Sequence, residues 1–108
     1  MKVLILGAGK MGSFFIDLLS FDHEVGVFEK DPKRLRFTYN CQRFTDLEEV
    51  KAFKPELCIN AVTVKYTISA FNEVIPYLPQ ECILSDIASV KTGLHDYYKS
   101  TGRRFVST

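Results

Sequence analysis

The chain has 108 residues, a length that allows a single domain with a buried core. Its 14 basic and 13 acidic residues are interspersed and leave a formal net charge of +1, so the charge pattern predicts neither a nucleic-acid nor a membrane-surface partner. No apolar run approaches the ~20 residues that span a bilayer, no secretory leader is evident, and the three cysteines lack metal-ligand spacing, so we expect a cytoplasmic protein without a metal site.

The first predicted element is a buried strand that runs into a glycine turn. Residues 3–6 (VLIL) are continuously apolar, which is typical of a parallel strand covered on both faces. Gly7, Gly9 and Gly12 follow with the spacing G-x-G-x-x-G of a dinucleotide-binding turn. The first glycine permits the turn, the second lets the backbone approach a pyrophosphate, and the third lets the next helix pack closely. The alternative is a tight turn that binds nothing.

The segment after the turn predicts a helix, because apolar residues recur there at helical spacing. These residues are Met11, Phe14, Phe15, Leu18 and Leu19. Residues 24–28 (EVGVF) then predict a second strand, and Glu29 follows it about 20 residues past the glycines, where the fingerprint places a carboxylate. Four features thus agree in the order that a dinucleotide-binding domain requires.

Glu29 and its neighbours bear on the choice of cofactor. A carboxylate at this position accepts hydrogen bonds from an adenosine ribose and repels a 2′-phosphate, which favours NAD over NADP. Lys30, with other basic residues close by, can offset that repulsion, and the alternative for Glu29 is a solvated carboxylate at the start of a helix. Lys10, inside the glycine turn, either helps to neutralise the pyrophosphate or is a solvated side chain.

Strand and helix signals alternate along the rest of the chain, the pattern of a parallel sheet with crossover helices. The further predicted strands cover residues 41–44, 57–62, 82–87 and 104–107, and the further predicted helices cover 31–39, 45–53, 64–78 and 90–100. We expect Asp46 or Thr45 to cap the helix over 45–53. One side of the helix over 64–78 should carry Ile68, Phe71, Ile75 and Leu78.

These elements predict an α/β Rossmann fold, a three-layer, doubly wound parallel sheet with the strand order 3-2-1-4-5-6. Residues 1–108 would form one NAD(P)-binding domain. The winding of such a sheet reverses between strands 1 and 4, and a ligand binds at the carboxyl ends of those strands. We therefore expect the cofactor at this point of the sheet.

Three segments together resemble the nucleotide-binding half of prephenate dehydrogenases, the NAD(P)-dependent enzymes of tyrosine biosynthesis. They are the turn over residues 7–12, the end of strand 4 at 61–63 (AVT), and residues 86–91 (DIASVK), which are close to the family's D-x-x-S-V-K signature. The resemblance implies an NAD domain followed by a helical domain that forms a homodimer. It also implies oxidation of prephenate or arogenate, in which hydride passes to the nicotinamide and carbon dioxide is lost.

The resemblance also assigns candidate site residues. Ser89 matches the family serine that contacts the substrate hydroxyl and the catalytic histidine, although a serine there is also a good helix N-cap. The candidate cofactor-binding residues are Gly7, Gly9, Lys10, Met11, Gly12, Glu29, Lys30, Ala61, Val62 and Thr63.

One departure from the family affects activity. The family's catalytic histidine would be the residue after Thr108, so we expect these residues to bind NAD without turning over substrate. Two other functions fit the sequence: another small-substrate dehydrogenase, such as an imine reductase, and a non-catalytic NAD-sensing module.

Overall fold

Six short segments pair as parallel strands and form one sheet. The structure is a computed structural model that describes residues 1–31, 33, 41–62, 66–87 and 94–106. The strands are β1 (Lys2–Leu6), β2 (Glu24–Phe28), β3 (Gln42–Phe44), β4 (Leu57–Asn60), β5 (Ile83–Asp86) and β6 (Phe105–Val106). Their order is β3-β2-β1-β4-β5-β6, which confirms the predicted Rossmann topology.

Four α-helices accompany the sheet in the described part of the chain. They are α1 (Lys10–Leu19), α2 (Leu47–Phe53), α3 (Thr67–Val74), which continues as a 3₁₀ turn over Ile75–Tyr77, and α4 (Leu94–Thr101). Almost all of the predicted helix over 31–39, and the first residues of those over 64–78 and 90–100, lie outside the described residues. None of the helices described is both long and apolar enough to cross a membrane.

Both faces of the sheet are buried, because alternate residues of each strand point to opposite sides. From β1, Leu4 and Leu6 join a cluster with the apolar residues of α2, α3 and α4, whereas Val3 and Ile5 join a second cluster with Ile16 of α1. The helices therefore form two outer layers around the sheet. This arrangement confirms the three-layer architecture and leaves the two strand-end edges of the sheet as the places for a site.

The buried faces of two helices differ from the prediction. In α1, Phe14 and Leu18 are each 57% exposed, whereas Ile16 is buried. In α3, Thr67 is buried whereas Ile68 is exposed, because the side chain of Asn60 bonds the Thr67 carbonyl and holds that residue against the sheet. One residue corresponds to about 100° of rotation around a helix, so Ile68 is turned outward.

The cysteines of β4 and of the residue before β5 are packing residues. Cys58 and Cys82 are both completely buried. Burial raises the pKa of the Cys58 thiol well above its usual value and that of Cys82 to about 11. Both thiols are therefore protonated at neutral pH and behave as small apolar side chains, as predicted from the sequence.

Candidate functional site

The loop after β1 is held between the two neighbouring strands at the point where the winding reverses. The Gly7 amide donates to the Phe28 carbonyl of β2 at 2.9 Å, and the Ala61 amide, just beyond β4, donates to the Leu6 carbonyl at 2.9 Å. These bonds extend the parallel ladder on both sides of β1 into the loop. The glycine turn is thus fixed at the edge where a doubly wound sheet binds its ligand.

Gly7 and Gly12 are required by the fold itself. Gly7 has φ +93°, a conformation that L side chains rarely adopt, and an added Cβ would lie 3.0 Å from a methyl carbon of Val62. A Cβ on Gly12 would lie 2.1 Å from the Gly7 carbonyl oxygen and 3.7 Å from the Ala61 Cβ. The structure therefore brings together four of the predicted cofactor residues, Gly7, Gly12, Ala61 and Val62. The last two follow β4 and were predicted to belong to it.

Gly9 has no such requirement. Its φ is −74°, which any residue adopts, and an added Cβ would meet no atom within 4 Å. A side chain at this position would project into open space above the turn. The folded chain therefore gives no steric reason for glycine here, whereas the close approach of a ligand to the backbone does.

The amino end of α1 begins at this turn without a side-chain cap. Gly9 is the N-cap residue and supplies no side-chain acceptor, and no acidic residue lies in the first turn, which contains Lys10 and Met11. The start of α2 is different, since the Asp46 side chain accepts from the Glu48 amide at 3.0 Å, which confirms the predicted cap. The first amides of a helix and its dipole favour an anion. The start of α1 can therefore receive an anion; the described start of α3 also lacks a side-chain cap, but α1 is the helix that begins at the glycine turn.

Glu29 lies beside the turn and is bonded to its backbone. One carboxylate oxygen accepts from the Ala8 amide at 3.0 Å, and the other accepts from the Asp31 amide at 3.2 Å. The Glu29 amide donates to the Phe44 carbonyl at 3.1 Å, so β3 fixes the backbone as well. The predicted carboxylate is thus held at the carboxyl end of β2 and oriented toward the glycine turn.

Lys30 contacts a different element from Glu29. Its ammonium forms an ion pair with the Glu73 carboxylate of α3. The two side chains stand at an open groove whose wall also includes Phe28, Asp46 and Tyr77. Sequence reasoning singled out Lys30 but not Glu73, which is 43 positions away.

Asn60 organises the loop after β4, and it was missed by the sequence analysis. It is 1% exposed, its amide nitrogen donates to the Thr67 carbonyl at 2.9 Å, and its side-chain oxygen accepts from the Val62 amide at 3.2 Å. Both bonds join β4 to the segment that leads into α3. The available signal was a single amide side chain at the end of an otherwise apolar strand, where a buried polar group needs partners.

The end of β5 carries a second buried polar pair. Asp86 and Tyr98 of α4 are both buried, and the Tyr98 hydroxyl donates to the Asp86 carboxylate at 2.5 Å. Burial raises the pKa of the Tyr98 phenol, and the hydrogen bond and charge of Asp86 raise it further. Asp86 opens the DIASVK segment, so this bond fixes the strand end from which that segment departs.

Several predicted site residues lie outside the described part of the chain. These are Thr63 and Ser89, together with the side chains of Lys10 and Met11, whose backbone forms the first turn of α1. Among the described residues, no group of three or more His, Cys, Asp or Glu side chains is placed to hold a metal ion. The described site therefore consists of the glycine turn, the Glu29 carboxylate, the Lys30–Glu73 pair and the residues after β4.

Comparison with known proteins identifies structural neighbours. The sequence matches no protein-family profile and no curated protein sequence. A prephenate dehydrogenase from Aquifex aeolicus, solved with hydroxyphenyl propionate and NAD+, is 23% identical with a TM-score of 0.88, and the match covers 99% of this chain and 40% of that one. An arogenate dehydrogenase from Synechocystis is 20% identical with a TM-score of 0.79, over 93% of this chain and 37% of that one.

The same fold occurs in enzymes with other substrates. An imine reductase from Myxococcus stipitatus in complex with NADP+ is 12% identical with a TM-score of 0.80, and the match covers 99% of this chain and 40% of that one. At these identities the comparisons show a shared Rossmann fold. The chain spans about 40% of the length of these neighbours.

Proposed function

We propose that this chain is the NAD-binding domain of a dehydrogenase and that the cofactor lies across the carboxyl ends of β1 and β4. The observation that carries the proposal is Gly9. An alanine would fit there without strain or contact, so the folded chain does not explain a glycine at this position. A pyrophosphate lying against the backbone does explain it, because a side chain would occupy the same space.

The neighbouring groups have the chemistry that this cofactor needs. The uncapped first turn of α1, at Lys10 and Met11, offers backbone amides to the pyrophosphate. The oriented Glu29 carboxylate is suited to accept hydrogen bonds from ribose hydroxyls, which favours NAD. Ala61 and Val62 follow β4 at the same edge and, together with Thr63, would line the path toward the nicotinamide. When bound, NAD supplies the hydride acceptor for the oxidation.

We further propose that the intact enzyme oxidises prephenate or arogenate, as a cytoplasmic homodimer. The support is the DIASVK segment together with the structural likeness to dehydrogenases of both substrates. Ser89 would contact the substrate hydroxyl. The preceding strand, β5, ends at Asp86 on the edge of the sheet that carries the glycine turn, and Asp86 there bonds Tyr98.

A calorimetric titration with NAD, run on the wild-type chain and on Gly9→Ala, tests the cofactor proposal. We expect saturable binding by the wild type and at least about tenfold weaker binding by the variant, because a methyl group displaces the pyrophosphate from the backbone. The variant should remain folded, with a free energy of unfolding within about 1 kcal/mol of the wild type. Undiminished NAD binding by folded Gly9→Ala would remove the observation on which the proposal rests.

The substrate is tested by adding prephenate to the same chain saturated with NAD. We expect a binding signal for prephenate that exceeds the signal for 3-hydroxyisobutyrate at equal concentration and that decreases in Ser89→Ala. Equal signals for the two acids would argue against a prephenate-type substrate and would leave the cofactor assignment intact.

A further inference from the structure

The groove on the α2 and α3 side of the sheet carries a charge arrangement that the general dinucleotide fingerprint does not include. It lies at the carboxyl ends of β2 and β3, next to Glu29, and Lys30 and Glu73 form an ion pair across it. The Lys30 side chain is 69% exposed and that of Glu73 is 32% exposed. A ligand that reaches past Glu29 would therefore meet both charges.

Lys30 is the cation that immediately follows the Glu29 carboxylate. The two neighbouring side chains have different partners: Glu29 bonds the glycine turn, whereas Lys30 pairs with Glu73 of α3. A basic side chain near this position is what accommodates the 2′-phosphate of NADP in dinucleotide-binding sheets. Here the ammonium is instead bound to a carboxylate from another element.

Among the described residues around the pair, carboxylates outnumber ammonium groups. Of the described residues near the end of β2, the carboxylates are Glu29, Asp31, Asp46 and Glu73, and the ammonium groups are Lys30 and Lys33. Without Glu73 the numbers of acidic and basic groups would nearly match, and the Lys30 ammonium would have no carboxylate of α3 beside it. Glu73 therefore both neutralises the nearest cation and adds repulsion toward a phosphate.

We propose that Glu73 is a specificity-determining residue that selects NAD over NADP by holding the Lys30 ammonium away from the position of a 2′-phosphate. This inference rests on the proposed dinucleotide site and adds the way in which that site discriminates between the two cofactors. The pair is exposed, so its effect is moderate and decreases with ionic strength.

The test is calorimetric titration of four proteins with NAD and with NADP at low ionic strength. They are the wild type, Glu73→Gln, the double variant Glu73→Gln/Lys30→Gln, and Glu81→Gln, which neutralises an exposed carboxylate before β5. We expect Glu73→Gln to raise the ratio of NADP affinity to NAD affinity about three- to tenfold. The double variant should lose this gain, and Glu81→Gln should show the wild-type ratio.

The outcomes separate this inference from the proposed function. If the wild type binds NAD and the ratio in Glu73→Gln stays within twofold of the wild type, Glu73 does not select the cofactor, and the NAD site stands. If the gain persists in the double variant, it does not act through Lys30, and the proposal is overturned. If the folded wild type binds neither nucleotide, both proposals are wrong. The single variant Lys30→Gln completes the double-mutant cycle. Its effect on the ratio of NADP affinity to NAD affinity should be smaller than the effect of the same substitution in the Glu73→Gln background.

Discussion

Tyr98 shows how one buried hydroxyl fixes a strand end beside the site. Its bond to Asp86 joins α4 to the last residue of β5, and neither side chain is exposed. Burial, then the hydrogen bond and charge of Asp86, raise the pKa of the phenol above the ordinary value of about 10. The folded chain therefore keeps its proton at pH values where the unfolded chain releases it. The resulting stabilisation is complete below the ordinary pKa and is lost as the pH rises above it.

We predict that Tyr98→Phe lowers the free energy of unfolding by about 1–3 kcal/mol at neutral pH, because the buried Asp86 loses the hydrogen bond from the Tyr98 hydroxyl. Above about pH 10 the stability of the variant should decrease less steeply than that of the wild type. Chemical denaturation at a series of pH values measures both effects. The thiols of Cys58 and Cys82, whose pKa values are also raised, are present in both proteins. The difference between the two stability profiles therefore reports on Tyr98. Tyr97→Phe removes a hydroxyl bonded to the exposed Asn72 and should cost less.

Equal stability and an equal alkaline slope in Tyr98→Phe and the wild type would show that the Asp86 bond contributes nothing.

At the scale of single residues, the sequence analysis found the residues that belong to a spaced motif, namely the glycines and Glu29. It overlooked Asn60, and it could not find Glu73 or Tyr98, because their partners lie 43 and 12 positions away and become neighbours only in the folded chain.

The two helix starts, at α1 and α2, illustrate what the elements contribute. The start of α2 has its own acceptor in Asp46, whereas the start of α1 has none and packs closely on the turn through Gly12. The position of α1 therefore depends on the absence of a side chain at Gly12. The exposure of the first turn of α1 depends on the absence of a side chain at Gly9.

We predict that Gly12→Ala destabilises the chain by about 2–4 kcal/mol, because the added carbon would lie 2.1 Å from a backbone oxygen and α1 must move away from the turn. Gly9→Ala is the matched control, with the same chemical change in the same turn and no steric conflict. Thermal unfolding of both variants measures the difference. Similar melting temperatures would show that close packing of α1 on the turn is not a constraint.

The elements themselves were largely predictable, and their ends were less so. The periodicity of residues 47–53 and the cap at Asp46 predicted α2 correctly, because both signals are local. The strands over 57–62 and 82–87 were predicted too long, since β4 ends at Asn60 and β5 at Asp86. Ala61 lies beyond the end of β4 but still packs against the core and the glycine turn. An apolar residue is therefore found there too, and hydrophobicity alone cannot separate the strand from the loop that follows it.

At the scale of the whole molecule, the alternation of strands and helices was sufficient to predict the topology. Right-handed crossovers leave few ways to order six parallel strands, and the observed order places the glycine turn between β2 and β4. The location of the site follows from that topology. The substrate does not, because the same fold occurs in prephenate, arogenate and imine enzymes.

The central claim, that a dinucleotide binds at the glycine turn, is tested most directly by following backbone amide resonances of the chain during an NMR titration with NAD. We predict saturable shifts concentrated at residues 7–12, 29–31 and 61–62, with little change at the opposite edge of the sheet, at Lys2 and Glu24. The absence of shifts at millimolar NAD, which corresponds to binding weaker than about −4 kcal/mol, or shifts confined to other surfaces, would contradict the account.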